Sequence, residues 1–406
     1  MRLYTTQMRH TFTFHTAGQL LFGRGAVGQL GETVAHFQGK RVLIVTDKIL
    51  VKAGIVETVK SAMPGLSIEV FDGGEPEPTI DMVLRCVEAA KSLRPDAVVG
   101  VGGGSNMDAA KLAAIALSHG GDPRDYVGEF KVPGPVLPLI CLPTTSGTGS
   151  EVTPAAVFTD TAKKTKVSCL SNFLRPAAAI VDPLLSVTCP PKVTADSGID
   201  ALTHAIEAFT AIDNAVFPLP DNERSIYQGK NPIADLMAEQ AIRRVAEFLP
   251  RAYRDGTDLE AREQMSMAAT LAGLAFSNAG VALVHAMEYP VGAAVHVSHG
   301  AGNGLLLPFV MRYNLPAKTA AFAQIAVWLG VKADGRSEAD LAEAGIGAVE
   351  KLKSAINIPA RLRDLGVQQA DLPAFAEKAF LLKRLMRVNP RYPSVSDIEQ
   401  IYRDAW

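Results

Sequence analysis

The sequence has few of the features that mark membrane, secreted or nucleic-acid-binding proteins. Its 406 residues include only four cysteines, widely spaced and without a CxxC pair, so no disulfide framework is expected and a reducing cytoplasm is the predicted compartment. No apolar run approaches the roughly 18 residues of a membrane span, and residues 1–16 lack the apolar stretch of a secretory signal. The formal net charge of −2 provides no global basic field for nucleic acid or anionic lipid.

The first 180 residues alternate β-rich runs with helical patterns. Hydrophobic residues make up 48% of the chain and charged residues 20%, so the length suffices for two large domains with sizeable cores. Strands are predicted at residues 42–47, 67–71, 97–101 and 138–142, and helices at 80–93, 106–118 and in a segment ending at Met63. This alternation predicts right-handed crossovers and a parallel sheet covered on both faces.

The second half of the chain has a helical texture. A Pro-rich break at residues 189–192 precedes segments rich in Ala, Leu, Met and Glu from Thr194 onward. We therefore expect an α/β domain at residues 1–188 and a helical domain at 189–406. Residues 213–232 form a polar loop longer than a simple helix connection, of the kind that is usually functional or mobile. An edge-like strand predicted at residues 11–15 offers a pairing surface for a partner subunit.

A glycine loop leads from a predicted strand straight into a helix. The run GGGS at residues 102–105 has no Cβ atoms before Ser105, so its backbone N–H groups can approach an anion closely. The following helix N-terminus adds partial positive charge. The pattern predicts a phosphate or diphosphate site, although a tight strand-to-helix turn is the alternative. It is not GxGxxG, but Asp47 ends an earlier strand, where an acid can face an adenine ribose and favour NAD over NADP.

A second polar loop, PTTSGTGSE at residues 143–151, also leaves a strand. Its hydroxyls and glycines exceed what a turn requires, so we interpret it as a second wall of a cofactor crevice. A loop whose hydroxyls only cap a helix is the alternative.

Four side chains in the second half have the chemistry of a metal site. Asp200 and His204 lie one turn apart on a predicted helix, His285 lies on a later helix, and His299 stands at a chain break. One carboxylate and three imidazoles suit a divalent transition metal, iron or zinc. The alternative is that each histidine is an independent core or surface residue.

Together these segments resemble the iron-containing (group III) alcohol dehydrogenase family. Residues 102–111, GGGSNMDAAK, are similar to its GGGSxxDxxK cofactor motif, and residues 143–151 match its PTTxGTGSE loop. Residues 200–207, DALTHAIE, match its metal-binding helix, while His285 and His299 begin segments like its two later ligand segments. The likeness runs in order from about Phe22 to Pro308.

The resemblance implies a fold and a role for each matching residue. The implied fold is a Rossmann-like α/β dinucleotide-binding domain followed by an all-α domain, as in dehydroquinate synthase-like enzymes, with the active site in the cleft between them. The implied metal ligands and catalytic residues are Asp200, His204, His285 and His299, which would hold Fe²⁺ or, in some relatives, Zn²⁺. The implied NAD or NADP site consists of Asp47, Gly102, Gly103, Gly104, Ser105, Asp108, Thr144, Thr145, Thr148, Lys166 and Leu184.

The resemblance also implies the reaction, which is reversible hydride transfer between a primary alcohol or hydroxyacid and NAD(P). Segments around residues 227–235 and 277–281 look closest to the hydroxyacid–oxoacid transhydrogenase branch, which recycles its cofactor. Tyr289 departs from the histidine that many family members have there, so no proton relay is assigned to it. Relatives are commonly dimers or larger, which implies a homo-oligomer acting on a small alcohol or aldehyde.

Two other functions remain open at this stage. A dehydroquinate synthase-like lyase would need a Lys and Arg cluster, whereas the metal-type helices here are lined by Ala, Leu, Val and Met. A non-catalytic NAD-binding or filament-forming protein would leave four metal-type ligands without a purpose.

Overall fold

The computed structural model describes residues 9–162, 165–219 and 224–406. The chain divides into two compact units, one of His15–Cys189 and the other of Pro190–Trp406 together with residues 9–14. Residues 220–223 of the predicted long loop, and residues 1–8 of the segment that was predicted to lack a secretory signal, lie outside the described residues.

The first unit is built on a six-stranded parallel sheet and a smaller three-stranded sheet. The strands are β1 (Gln19–Phe22), β2 (Arg41–Val45), β3 (Ser67–Phe71), β4 (Ala97–Gly102), β5 (Gly128–Glu129), β6 (Leu139–Pro143), β7 (Ala155–Asp160), β8 (Thr165–Leu170) and β9 (Ala178–Val181). The large sheet has the order β1-β9-β6-β4-β2-β3. In the small sheet, of order β5-β8-β7, β7 and β8 are antiparallel.

Alternate residues of the central strands enter two separate cores. Leu43, Val45 and Val98 belong to one buried cluster, whereas Val42 and Val99 belong to the other. Because successive side chains of a strand point to opposite faces, this division means that both faces of the sheet are covered. The predicted parallel sheet with two covered faces is confirmed.

Helices of this unit connect the strands and pack on both faces. They are α1 (Leu30–His36), α2 (Lys48–Lys52), α3 (Ile55–Ser61), α4 (Ile80–Ala90) and α5 (Gly104–His119). The single helix predicted to end at Met63 is two helices, because Gly54 adopts a left-handed conformation with φ of 80° and interrupts it.

The predicted strand at residues 11–15 is wrong. These residues are in no strand, and none of the described strands pairs with them. Instead, the segment attaches to the helical unit: Arg9 N donates to Ala215 O at 3.0 Å, and Thr13 N donates to Gln228 Oε1 at 3.2 Å. Alternation of polar and apolar residues predicts a strand only where a neighbouring strand completes the ladder.

In the described part of the second unit the regular elements are all helices, apart from a bridge between Asp213 and Lys230. This confirms the all-α C-terminal region. Its helices are α6 (Pro191–Thr210), α7 (Pro232–Arg254), α8 (Leu259–Ala279), α9 (Leu283–Val295), α10 (His299–Trp328), α11 (Glu338–Ala355), α12 (Leu372–Phe380), α13 (Lys383–Val388) and α14 (Val395–Ala405).

Across the residues searched, no helix alone is both long and apolar enough to cross a membrane. The consecutive helices α8 and α9 meet that length and composition only as a pair, with a bend of 106° between them.

A fully buried lysine ties α5 to the segment that follows β6. Lys111 Nζ lies 2.7–2.8 Å from the Ser150 carbonyl, the Ser150 hydroxyl and the Ala155 carbonyl, and 3.1 Å from Thr153 Oγ1. Burial lowers the pKa of Lys111, while the Asp108 carboxylate 3.6 Å away opposes this shift. The amine therefore holds the start of α5 and the second polar loop together.

Replacing this lysine should destabilise the protein. We expect Lys111→Met to lower the free energy of unfolding by about 3 kcal/mol, because it leaves Asp108 and the acceptors around it without their cation. Urea unfolding followed by circular dichroism measures this loss. Lys60→Met, which removes an exposed lysine paired with Glu57 at 3.0 Å, should cost less than about 0.5 kcal/mol. Equal stability of the two variants would contradict the role assigned to Lys111.

Candidate functional site

One buried face of α6 presents two carboxylates and an imidazole. Asp200, His204 and Glu207 follow one another at intervals of about one helical turn, so their side chains point the same way. All three are buried in the helical unit. Since a buried acid or imidazole is stable only with partners, this face predicts a polar cluster within an otherwise apolar bundle.

His285 on α9 completes a compact group with two of these residues. Its Nε2 lies 3.9 Å from Asp200 Oδ1, and His204 Nε2 lies at the same distance from that oxygen. The rings of His204 and His285 stack with centroids 4.8 Å apart, and Phe276 covers the other side of His204 at 4.1 Å. One ligand-type atom from each of Asp200, His204 and His285 lies within 4.8 Å of the others.

His299 lies at the edge of this group. Its ring centroid is 5.3 Å from that of His285. The Asn303 amide nitrogen lies 2.8 Å from Asp200 Oδ1 and 3.1 Å from His299 Nε2. The structure thus brings together the four residues that the sequence predicted as metal ligands, with His299 as the most exposed of them, its side chain 34% accessible.

Glu207 links the two helices that supply the first three residues. Its carboxylate accepts hydrogen bonds from Ala282 N at 2.8 Å and Val284 N at 2.6 Å, and it lies 2.6 Å from His285 Nδ1. It therefore caps the N-terminus of α9, whose own N-cap residue Ala282 provides no side-chain cap. Because a carboxylate accepts, Nδ1 of His285 carries the hydrogen, and Nε2 keeps its lone pair for a ligand.

Glu288 repeats this arrangement between α9 and α10. It is fully buried on α9, and one of its carboxylate oxygens contacts His299 Nδ1 at the start of α10. Each of these two histidines is therefore oriented through Nδ1 by a carboxylate of another helix. Carboxylate–histidine pairs of this kind are typical of metal sites, where they fix the ring orientation.

The electrostatics of the group fit a divalent cation. Burial by itself raises the pKa of Asp200, but the neighbouring His204, His299 and His285 and the Asn303 amide outweigh it and bring this pKa below its ordinary value. His285 Nε2 is buried and makes no hydrogen bond within the described part of the chain. A nitrogen acceptor with no hydrogen-bond partner, aimed at a carboxylate oxygen and flanked by two imidazoles, matches the ligand chemistry of iron or zinc.

The α/β unit places the two polar loops side by side. They follow β4 and β6, which are neighbouring parallel strands, so both lie at the carboxyl edge of the sheet. Thr144 N donates to Gly102 O at 3.0 Å, and a Cβ on Gly103 would lie 3.4 Å from Thr145 Oγ1. A Cβ on Gly104 would lie 2.8 Å from Thr148 Cγ2, so only glycine permits this approach.

Asp47 lies beside the glycine loop. It follows β2 and caps α2 by accepting from Ile49 N at 2.8 Å and Leu50 N at 3.0 Å. Its other carboxylate oxygen accepts from Asn106 Nδ2 at 2.6 Å. Asn106 also donates to Val101 O at 3.1 Å, so it connects Asp47 to the glycine turn.

The remaining predicted cofactor residues differ in how they are placed. Ser105 donates to the Pro76 carbonyl in the loop after β3, and Lys166 on β8 pairs with Glu77 of that loop at 2.6 Å. Leu184 is exposed just beyond β9. Asp108 accepts from Ser150 Oγ at 2.7 Å and Val157 N at 3.0 Å, so both of its oxygens already have protein partners. Its position favours a structural role.

Four residues of these sites were not identified from the sequence, namely Glu207, Glu288, Asn303 and Asn106. Glu207 and Asn106 stand inside quoted motifs, and the helical spacing of Glu207 from Asp200 is a signal that could have found it. Glu288 lies three residues after His285, but its contact is with another helix and has no sequence signal.

Comparison with known proteins gives a consistent result. Residues 17–183 match the sequence profile of iron-containing alcohol dehydrogenases. Residues 223–406 match the profile of the C-terminal region of the Fe-containing alcohol dehydrogenase family.

Individual relatives match over nearly the whole chain. The chain is 38% identical over 387 residues to NAD-dependent methanol dehydrogenase of Bacillus methanolicus, covering 95% of this chain and 97% of that protein. It is 40% identical over 389 residues to 1,3-propanediol dehydrogenase of Citrobacter freundii, covering 95% and 96% respectively. A crystal structure of 1,3-propanediol oxidoreductase superposes with a TM-score of 0.92 at 38% identity, over 98% of this chain and all of that chain.

Removing the carboxylate that orients His285 should weaken metal binding. We expect Glu207→Gln to lower the Zn²⁺ affinity about 10- to 100-fold, because an amide in this position no longer fixes the His285 tautomer. Titration of metal-free protein with Zn²⁺ against a chromophoric chelator measures the affinity, and circular dichroism verifies that the variant is folded.

The matched control is Glu247→Gln on the exposed side of α7, which should bind Zn²⁺ as tightly as the unaltered chain. Equal affinities for both variants would show that Glu207 serves the fold alone.

Proposed function

Because the chain belongs to the iron-containing alcohol dehydrogenase family, we propose that its helical unit holds one divalent metal ion and its α/β unit holds NAD. As a member of this family the protein is an oxidoreductase that interconverts alcohols and aldehydes. The convergence of Asp200, His204, His285 and His299, two of these imidazoles being oriented by buried carboxylates, is the observation that supports the proposal most directly.

The proposed metal ligands are Asp200, His204, His285 and His299. When bound, the ion supplies Lewis acidity that lowers the pKa of a substrate alcohol and polarises an aldehyde carbonyl. Asp200 contributes the one negative charge of the ligand set. Glu207 and Glu288 hold His285 and His299 in the tautomer whose Nε2 carries a lone pair for a metal ion. Phe276, stacked on His204, keeps water from that side of the group. Iron is the metal in the family's name, and zinc suits the same donors.

The proposed dinucleotide site is the carboxyl edge of the large sheet. When bound, NAD supplies the hydride acceptor. Backbone N–H groups of Gly103, Gly104 and Ser105 at the start of α5 would bind the diphosphate. Thr144, Thr145 and Thr148 would supply hydroxyls from the opposite side, and Asp47 would accept from the adenine ribose. Gly102, Asp108, Lys166 and Leu184 would shape the surrounding loops.

The alcohol proton is proposed to leave through water or the ribose hydroxyls. Position 289 is a tyrosine, whose ring centroid lies 5.8 Å from that of His299. No histidine stands there to accept the proton. Orientation of the two reactants supplies most of the remaining acceleration.

Cellular setting and assembly are proposed on separate grounds. All four cysteines are unpaired, which suits a reducing cytoplasm.

In the described part of the large sheet the edge strand β1 pairs only with β9, so its other side is open for pairing. We therefore propose a homodimer or larger homo-oligomer.

The comparisons with known proteins bear on one of the two alternative functions, the lyase, but not on the other, the transhydrogenase. The relatives favour a dehydrogenase over a lyase of the same architecture. The transhydrogenase-like branch stays a prediction, since neither the family profiles nor the names of these relatives speak to it. Net formation of free NADH from an alcohol distinguishes a dehydrogenase from a transhydrogenase that retains its cofactor.

Loss of a central imidazole should remove the metal and the reaction together. We expect His285→Ala to lose stoichiometric metal and to lower kcat/KM for 1-butanol more than about a hundredfold, because one of the four proposed metal ligands is removed. Elemental analysis and NADH absorbance measure the two effects.

His296→Asn is the control, because His296 is exposed outside the group and its left-handed φ of 53° suits asparagine. It should keep both metal and rate. A His285→Ala variant that retains metal and activity would refute the metal site.

Asp47 should determine the choice between NAD and NADP. We expect Asp47→Asn to raise the ratio of kcat/KM for NADP over NAD about tenfold, because it removes a negative charge that repels a 2′-phosphate. Stability should hardly change, since asparagine caps a helix as well as aspartate. Asp122→Asn, which replaces another capping carboxylate, is the control and should leave the ratio unchanged. An unchanged ratio in Asp47→Asn would place the adenine ribose elsewhere.

A further inference from the structure

A polar cavity lies within the helical unit, between α10, the C-terminal end of α11 and the segment that follows α11. Its volume of about 410 Å³ is that of a small-molecule site. None of its lining residues belongs to the proposed metal or NAD site. Apolar, polar and charged side chains line it together, among them Phe309, Glu350, Lys353, Ser354, Ile358 and Arg361.

Two cationic side chains of the cavity wall have no carboxylate of their own. Lys353 is 5% exposed, and its Nζ donates to the carbonyl of Leu305 on α10 at 2.9 Å. Arg361 is half-buried, and its Nη1 donates to the Asp404 carbonyl on α14 at 2.6 Å. In the part of the chain that the structure describes, neither cation forms an ion pair. Because a charge removed from water is costly without a counter-charge, this wall favours an anion.

Both cations lie beside the same aromatic ring. Lys353 Nζ lies 5.9 Å, and the guanidinium carbon of Arg361 5.4 Å, from the centroid of the Phe309 ring. Burial lowers the pKa of Lys353 to about 8, Glu350 opposes this shift, and the positive charges of Arg361 and Arg312 add to it. The cations therefore repel each other across one wall, and a bound anion relieves that repulsion.

The carboxylate of the cavity wall is already matched. Glu350 accepts from Arg312 Nη1 at 2.9 Å, and Arg312 Nε also donates to Glu343 at 3.1 Å. The charges of Lys353 and Arg361 thus remain for a ligand. A phosphate monoester carries nearly two negative charges at about pH 7, whereas a carboxylate carries about one, so the monoester is the better match.

Contacts outside the cavity hold its wall in place. Asn357 also lines the cavity, and its Nδ2 donates to Tyr253 Oη on α7 at 2.6 Å, while Arg361 is tied to α14. Ser354 and Asn357 are exposed, whereas Lys353 is buried. A ligand therefore enters beside Ser354 and reaches Lys353 in the interior of a site that is formed before it binds.

We propose that this cavity binds a small organic phosphate, namely a phosphate monoester with an apolar or aromatic body. Lys353 and Arg361 bind the phosphate oxygens through charge-assisted hydrogen bonds. Phe309 and Ile358 contact the body of the ligand. The inference goes beyond the proposed function and does not rest on it, because the cavity shares no residue with the proposed catalytic sites.

Calorimetry with three probes tests the ligand class. The protein is loaded with metal and saturated with NAD, so that the proposed catalytic sites are occupied. We expect phenyl phosphate to bind at least about tenfold more tightly than inorganic phosphate, which lacks the ring, and than benzoate, which carries less charge. Inorganic phosphate that binds as tightly overturns the monoester, and benzoate that binds as tightly overturns the phosphate. Absence of phenyl phosphate binding overturns the site.

Two variants test whether the phosphate binds in this cavity. Arg361→Met should weaken phenyl phosphate binding at least about tenfold, whereas Arg363→Met, which removes a neighbouring exposed guanidinium, should leave it unchanged. Ser354→Asp should weaken binding to a similar degree by charge repulsion, while the uncharged Ser354→Asn should change it less than about threefold.

Circular dichroism verifies that each variant is folded. If Arg361→Met does not fold, the pair of variants at Ser354 decides the question. An unchanged affinity in folded Arg361→Met or in Ser354→Asp overturns the proposal, and so does an equal loss in Arg361→Met and Arg363→Met.

Discussion

A buried carboxylate that joins two helices is the constraint on which the helical unit depends. The Glu207 side chain extends from α6 and accepts hydrogen bonds from two backbone N–H groups at the start of α9. It also contacts the Nδ1 ring nitrogen of His285. A buried helix end without such a partner would be costly, so this single side chain supports the packing of α9 and the orientation of its histidine together. Fold and site are coupled at this residue.

The same logic extends through three helices. Asp200, His204 and Glu207 come from α6, His285 and Glu288 from α9, and His299 from α10. The histidine of α9 is held by a carboxylate of α6, and the histidine of α10 is held by a carboxylate of α9. A site built from helices in this way is expected to vary little in geometry, because each of the four proposed ligands lies on a helix.

How much could be predicted from the sequence depended on whether a feature was local. Asp200 and His204 were predictable because one helical turn fixes their shared face, and the strand around residues 97–101 because its run contains no polar side chain. The partners Glu288 and Asn303 escaped notice because the contact of Glu288 with His299 and that of Asn303 with Asp200 cross between helices. Short strands such as β1 and β9 were missed, and residues 11–15 were wrongly assigned, because strand formation depends on a neighbour that no local pattern reveals. The break at Gly54 was missed because a single glycine is compatible with a helix.

Because alternate side chains of the central strands enter two different cores, residues can hardly be inserted into or deleted from these strands. Leu43 and Val45 face one cluster and Val42 and Ile44 the other, with both clusters filled by apolar side chains. One extra residue inside β2 would reverse the facing of every side chain after it and would offset Asp47 from Asn106. We therefore expect an inserted residue to be tolerated best in the loops at the amino edge of the sheet, away from the carboxyl edge where the proposed NAD-binding residues lie.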